Sequence, residues 1–322
     1  MQLTWTLFSS SLTPPIQLKT GTLSIRKGIK LTLMSGDIIS EGEASPLPGF
    51  STETLQEVEK RLPLIQKKCQ NKTMPSVADI LTGNLGLSKN LPASLYFGLE
   101  LAMLNHHAQR LQTPLSALLL PYTGATQVGD AKRNALLSGT SQHIFSTCKK
   151  KLTQGFQCFK LKVGAKPPQD EIAIIKALLA MMPSYATLRL DANRLWDLQT
   201  AVEVGAAISH PQIDYIEEPL KNPSGWTSFY QKTGIPIALD ESLIENKGQW
   251  TLFKGLKALI LKPTLLGGIY PSIQLAKRGM SEGLVPVISS TFESPIALKG
   301  LAQLAASLPI ATYHGLDSDT VH

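Results

Sequence analysis

Apolar and polar residues alternate over residues 2–7. Leu3, Trp5 and Leu7 share one face, as in a strand with one buried side. Residues 29–34 and 37–43 read as two further strands, joined at Ser35-Gly36-Asp37, the composition of a hairpin turn. Residues 52–68 and 91–112 change period, and their apolar positions recur at helical spacing. Between strands and helices lies Ala44-Ser45-Pro46-Leu47-Pro48-Gly49-Phe50, whose prolines and glycine predict an ordered, irregular loop. This first part reads as a small α+β unit.

From about residue 130 short apolar runs alternate with helical segments. Strands are expected at 134–138, 157–163, 187–192, 213–217, 236–240, 258–262, 284–289 and 310–314. Helices are expected at 141–153, 169–182, 198–209, 226–233, 247–254, 269–281 and 295–307. Eight strands with seven intervening helices are the signature of a parallel β/α barrel. An open doubly wound sheet is the alternative. Against it, no Gly-rich phosphate loop follows the first strand, and the polar clusters all fall at C-terminal strand ends.

Composition narrows the class. With 322 residues, 43% hydrophobic and 17% charged, the chain has the make-up of a soluble globular protein with a large core. Its net charge of +7 favours anionic ligands. Nucleic acid is not expected, because the basic residues are scattered and form no stripe interleaved with aromatics. Lys149-Lys150-Lys151 closes a predicted helix and reads as a solvated face favoured by the helix dipole. Cys69, Cys148 and Cys158 lack metal-ligand spacing and read as free thiols of a reducing compartment. No signal peptide or membrane-length apolar run is seen, so a cytoplasmic location is expected. Nothing in the sequence signals an oligomeric state.

The chemistry gathers at the strand ends. In Phe159-Lys160-Leu161-Lys162-Val163 the two lysines share a face and the apolar residues take the other. Two ammonium groups held so close disfavour each other's protonation, which would make a base. The next strand ends in Leu188-Arg189-Leu190-Asp191-Ala192-Asn193, with Arg189, Asp191 and Asn193 on one face. The following three end in Glu217-Glu218-Pro219, Asp240-Glu241-Ser242 and Lys262-Pro263. In a barrel these ends converge, bringing Asp191, Glu217 and Asp240 together between Lys162 and Lys262. Three carboxylates need a cation, and oxygen ligands without Cys or His favour Mg²⁺ over Zn²⁺. A metal on a substrate carboxylate and a lysine that removes the α-proton would together form an enediolate.

Taken singly, an Asp at a strand end is usually a helix cap and a lone Lys usually reaches for solvent. Five such residues at equivalent positions in consecutive units outweigh that reading. Glu218 and Glu241 point to the other face and take a supporting role, although a shift of one residue would exchange them with Glu217 and Asp240. His106, His107, His143 and His210 read as surface or core residues. His314 is the one histidine at a strand end.

Lys160-Leu161-Lys162, Asp191-Ala192-Asn193, Glu217-Glu218-Pro219, Asp240-Glu241-Ser242 and Lys262-Pro263 together resemble the muconate-lactonizing subgroup of the enolase superfamily. Within it, the segment Glu43 to Ser51, Arg189 with Arg194 and Trp196, Val287 to Ser294, and His314-Gly315-Leu316-Asp317 are similar to the o-succinylbenzoate synthase family. Thr291-Phe292 and His314 depart from that family's pattern, which has Ser-Ile and Pro there.

The resemblance implies a capping domain at residues 1–112, completed by C-terminal residues, and a (β/α)7β TIM-like barrel at 113–322. It implies Mg²⁺, with Mn²⁺ as a substitute, on Asp191, Glu217 and Asp240. The substrate implied is a small anionic carboxylate, 2-succinyl-6-hydroxy-2,4-cyclohexadiene-1-carboxylate, and the reaction its dehydration. Lys162 would move the proton, Lys160 would keep it poised, and Lys262 would stabilise the anion from the opposite side. Ser289 and Gly315 would bind the succinyl carboxylate, and the Pro48–Ser51 loop, with Gly49, Phe50 and Ser51, would close over the substrate. Arg189 and Asn193 complete the substrate-contacting set. The same two lysines serve N-succinylamino acid racemases and dipeptide epimerases, so that reading stays open. Asp317-Ser318-Asp319 superficially fits an epimerase specificity pattern but reads as a polar tail. A non-catalytic binding barrel is the third alternative.

Overall fold

The computed structural model describes residues 1–18, 21–70, 72–88 and 90–317. An antiparallel sheet comes first, with strands β1 (Gln2–Leu18), β2 (Gly21–Ser35) and β3 (Ile38–Ala44) in that spatial order. Ser35 pairs with Ile38 across the two-residue turn Gly36-Asp37, and Gly36 sits at φ +60°, the left-handed conformation such a turn requires. β1 and β2 are far longer than the expected strands, and past residue 7 the buried side of β1 changes face, to Leu12 and Ile16. Leu7 itself is largely exposed. Pro14 and Pro15 offer no N–H to a ladder, and the register shifts between Ser11 and Ile16.

The helix Leu55–Cys69 opens with a capping box in which Thr54 and Glu57 satisfy each other's backbone donors. The helix Ala93–Arg110 is buried on nearly every side from Ser94 to Leu104. It lies between β3 and the barrel helix Pro263–Leu266, so it has no solvent face to keep polar. Its approach to β3 needs two glycines. A Cβ on Gly42 would stand 1.9 Å from the Gly98 carbonyl oxygen. Glu100 on this helix accepts hydrogen bonds from the Ile269 and Tyr270 N–H groups, capping the barrel helix Ile269–Ser281 across the seam.

The barrel strands are β4 (Ala135–Leu137), β5 (Cys158–Lys162), β6 (Thr187–Asp191), β7 (Ile213–Glu217), β8 (Ile237–Leu239), β9 (Leu256–Leu261) and β10 (Val285–Ile288). They pair in parallel with their sequence neighbours. Among the described residues, closure comes from two. His314 bridges to Arg133 just before β4, and Gly315 bridges to Ser289 just after β10. The eighth strand expected at 310–314 is thus reduced and displaced. The Tyr313 carbonyl is taken by the Arg189 guanidinium rather than by a ladder, and the same guanidinium bonds the Thr312 hydroxyl. The helix expected at 247–254 is also absent. Lys247 and Gly248 are left-handed, and a short helix at Glu241–Glu245 follows β8 directly. Among the described residues no helix is long and apolar enough to cross a membrane.

Candidate metal and proton-transfer site

Parallel register sets the site. Lys162 pairs with Asp191, and Asp191 with Glu217. Asp240 directly follows β8, and Lys262 directly follows β9. Carboxylate oxygens of Asp191, Glu217 and Asp240 lie within 4.8 Å of one another, and all three residues are buried. Lys160 Nζ is 2.9 Å from Asp191 Oδ2 and also bonds Glu217. Lys162 Nζ donates to Asp191 Oδ2 at 2.6 Å and to Asn193 Oδ1 at 2.8 Å. From the far side Lys262 Nζ donates to Asp240 Oδ2 at 2.6 Å, and it lies 5.8 Å from the centre of the Phe50 ring.

Electrostatics shows what this cluster lacks. Burial and the neighbouring Asp191 and Asp240 push the Glu217 carboxyl up to about 7, against the pull of Lys160. Burial also raises Asp240, with Glu241 adding repulsion against the pull of Lys262. Asp240 Oδ1 is buried without a hydrogen-bond partner. Three hard oxygen donors, an orphaned oxygen and mutual repulsion fit a divalent cation. Lys160 behaves differently from the expected mutual depression. Burial would lower Lys160, but Asp191 and Glu217 outweigh it and hold the amine well above its ordinary value. Lys160 is thus a fixed cation at 12% side-chain exposure, while Lys162 is 31% exposed and reaches the cavity.

Glu218 and Glu241 support the cluster from outside it. Glu218 accepts from the Asp240 and Ser242 N–H groups, from the Ser242 hydroxyl and from Arg194, bolting the end of β7 to that of β8. Glu241 accepts from the Asn193 amide, which in turn faces Lys162.

A cavity of about 70 Å³ opens over the lysines. Of the residues expected to contact substrate, Phe50, Asn193, Ser289 and Gly315 line it. Gly49 and Ser51 do not. Gly49 turns the loop at φ +80°, and the Ser51 hydroxyl accepts from the Leu47 N–H at 2.8 Å. Arg189 also departs from expectation. It lies two residues before Asp191 on the same face, one layer deeper, spent on Asp214, Tyr313 and Thr312 and stacked 4.8 Å from the Tyr215 ring centre. His314 is away from the cavity too. The Ile288 N–H donates to its Nδ1 at 3.0 Å, and burial, with Arg189 adding repulsion, pushes it down to about 3, so it stays neutral.

Sequence reasoning missed several wall residues. Ile16 and Leu18 reach the cavity from the long β1–β2 hairpin, and their alternation past residue 7 was the available signal. Asp317, expected in a polar tail, is part of the wall, with Ser318 and Asp319 outside the described residues. Its partner is Lys151 at 2.7 Å, so the third lysine of the run is buried rather than solvated. The three cysteines are free and buried.

Residues 145–321 match the family model for the enolase C-terminal domain-like fold, and residues 4–105 match that of the MenC N-terminal domain. The o-succinylbenzoate synthase of Yersinia pseudotuberculosis serotype I (strain IP32953) is 34% identical over 300 residues, 92% of this chain and 83% of that protein. The chain belongs to the o-succinylbenzoate synthase family. A solved o-succinylbenzoate synthase from Thermosynechococcus elongatus BP-1, complexed with Mg in its active site, aligns at TM-score 0.71 and 27% identity, covering 98% of this chain and 92% of that one. Muconate lactonizing enzyme from Pseudomonas fluorescens aligns at TM-score 0.84 and 21% identity, covering 99% and 88%, and shares the TIM-barrel fold. In a chain of this family, the carboxylate triad marks a divalent-metal site.

Proposed function

We propose that this chain catalyses the Mg²⁺-dependent syn-dehydration of 2-succinyl-6-hydroxy-2,4-cyclohexadiene-1-carboxylate to o-succinylbenzoate, a step of menaquinone biosynthesis. It is a carbon–oxygen lyase of the hydro-lyase type. The observation that carries the reading is the buried carboxylate triad with lysines on both sides, in a chain 34% identical to an o-succinylbenzoate synthase.

Asp191, Glu217 and Asp240 would hold Mg²⁺, with Mn²⁺ as a substitute. When bound, the cation would supply Lewis-acid stabilisation of the negative charge that develops on the substrate carboxylate. Lys162, the more exposed of the β5 pair, takes the α-proton and returns it to the departing hydroxyl. One C–H bond and one C–O bond break, water leaves, and the ring becomes aromatic. Lys160 stays charged and holds Lys162 and the carboxylates in register. Lys262 stabilises the anion from the opposite face, with Phe50 over it. Ser289 and Gly315 take the succinyl carboxylate and Asn193 orients Lys162. Gly49 and Ser51 shape the loop that carries Phe50, and Arg189 supports the floor. Residues 1–112 act as the cap and 113–322 as the catalytic barrel. The free thiols suit a cytoplasmic setting.

Purified protein with Mg²⁺ should generate the ultraviolet absorbance of the aromatic product, and chelator should abolish it. Racemisation of an N-succinylamino acid with the cyclohexadiene left untouched would overturn the assignment.

A further inference from the structure

Arg26 on β2 is the largest fully buried side chain among the described residues. Its guanidinium donates to four main-chain carbonyls. Nη1 reaches Pro46 at 2.8 Å and Lys27 at 3.1 Å, Nη2 reaches Ser45, and Nε reaches Thr291 at 3.3 Å. Two buried carboxylates, Glu43 and Glu293, lie close enough to balance its charge.

Each of those carboxylates has donors of its own. Glu43 accepts from Ser45 Oγ at 2.6 Å, from both Ser294 donors and from the Ala297 N–H at 3.4 Å, tying β3 to the helix Pro295–Ala306. Glu293 accepts from Thr264 Oγ1 at 2.6 Å and from the Thr291 N–H at 2.6 Å. Thr264 is two residues past Lys262.

Of the carbonyls that Arg26 holds, that of Lys27 is on β2 itself; the other three belong to two segments that wall the cavity, one from each unit. Ser45 and Pro46 lead into Leu47 and Phe50, and Thr291 lies between Ser289 and Phe292. None of the Arg26 contacts touches the carboxylate triad. A planar fork of five donors fixes the distance between the carbonyls it joins, whereas an ammonium group offers donors from a single point.

We propose that Arg26 is a positioning residue for substrate affinity: it sets the spacing between the capping loop and the loop after β10, and so shapes the half of the cavity away from the metal. It takes no part in proton transfer. This rests on the dehydratase reading above.

The test uses the full chain with Arg26→Met and Arg26→Lys. Three quantities are measured: steady-state dehydration, calorimetric binding of o-succinylbenzoate with Mg²⁺ present, and Mg²⁺ affinity. In Arg26→Met, KM and the product Kd should rise about tenfold while kcat stays within about threefold and Mg²⁺ affinity holds. Arg26→Lys should fall between that variant and the wild type. A fall in kcat at constant KM, or three unchanged quantities, would overturn the proposal. So would loss of the folded circular dichroism spectrum in both variants, which would make Arg26 a folding residue. If the wild type neither turns over the cyclohexadiene nor binds the product, the dehydratase reading falls and takes this one with it. If the wild type does both and the variants match it, the Arg26 proposal alone falls.

Discussion

The seam between the two units and the mouth of the barrel both bury several charges, but they occupy the oxygens differently. At the seam, Glu43, Glu100 and Glu293 accept from backbone N–H groups, from Ser and Thr hydroxyls, or from both, on each carboxylate oxygen. At the mouth, Asp191, Glu217 and Asp240 lean on three lysines, and Asp240 Oδ1 has no partner. Neutral donors built into helices and turns hold one geometry permanently. Lysine amines on flexible stems can yield to a cation and a substrate. A buried carboxyl group with both oxygens bonded by fixed donors belongs to the architecture; a crowded one with an open oxygen is poised for an exchangeable ligand.

The sharpest test removes the amine that faces the cavity. Lys162→Ala should cut dehydration by on the order of a thousandfold or more while divalent-cation binding persists. Retained turnover, followed by ultraviolet absorbance, would move the base elsewhere. Next, Asp240→Asn should weaken Mg²⁺ affinity at least on the order of tenfold, the cost of losing even an outer partner of a metal ligand. Unchanged calorimetric affinity would remove Asp240 from the ligand set.

A smaller effect should come from Gly315→Ala, since its Cβ would stand 2.6 Å from Ser289 Oγ. Crowding the part of the cavity proposed to take the succinyl carboxylate should raise KM about tenfold, and an unchanged KM would remove Gly315 from the proposed substrate contacts.

The seam should respond to pH rather than in catalysis. Burial pushes the Glu100 carboxyl up to about 8 from an ordinary value near 4.5. The folded chain therefore binds this proton more tightly than the unfolded one. The stability so conferred is full below the ordinary value and is lost as pH rises through about 8, at no more than about 1.4 kcal/mol per pH unit. Glu100→Gln should flatten that slope between about pH 5 and 8 in urea melts; equal slopes would place the dependence elsewhere.

What was legible in the sequence follows the same division. The lysines, the carboxylates and their sharing of one barrel end were readable, because strand alternation and repeated strand ends are local patterns. The helices at 141–153 and 269–281 were readable for the same reason. Arg189, Lys151 and Arg26 were not read correctly or were passed over. Their partners lie at Tyr313, Asp317, and Pro46 and Thr291, separations that no local period reveals. At the eighth strand the Tyr313 carbonyl goes to Arg189 instead of a neighbouring strand, and residues 247–254 failed on two left-handed positions.

The two-residue closure at His314 and Gly315 gives the molecule a particular fragility during synthesis. All seven barrel strands and every carboxylate of the triad emerge from the ribosome before the residues that join β10 to β4. A nascent chain, or one cut short by a frameshift upstream of residue 314, would expose two unpaired parallel edges on an apolar sheet. Such edges recruit other chains. Truncations in this short stretch should therefore surface in the cell as insoluble protein and chaperone load rather than as a weak enzyme.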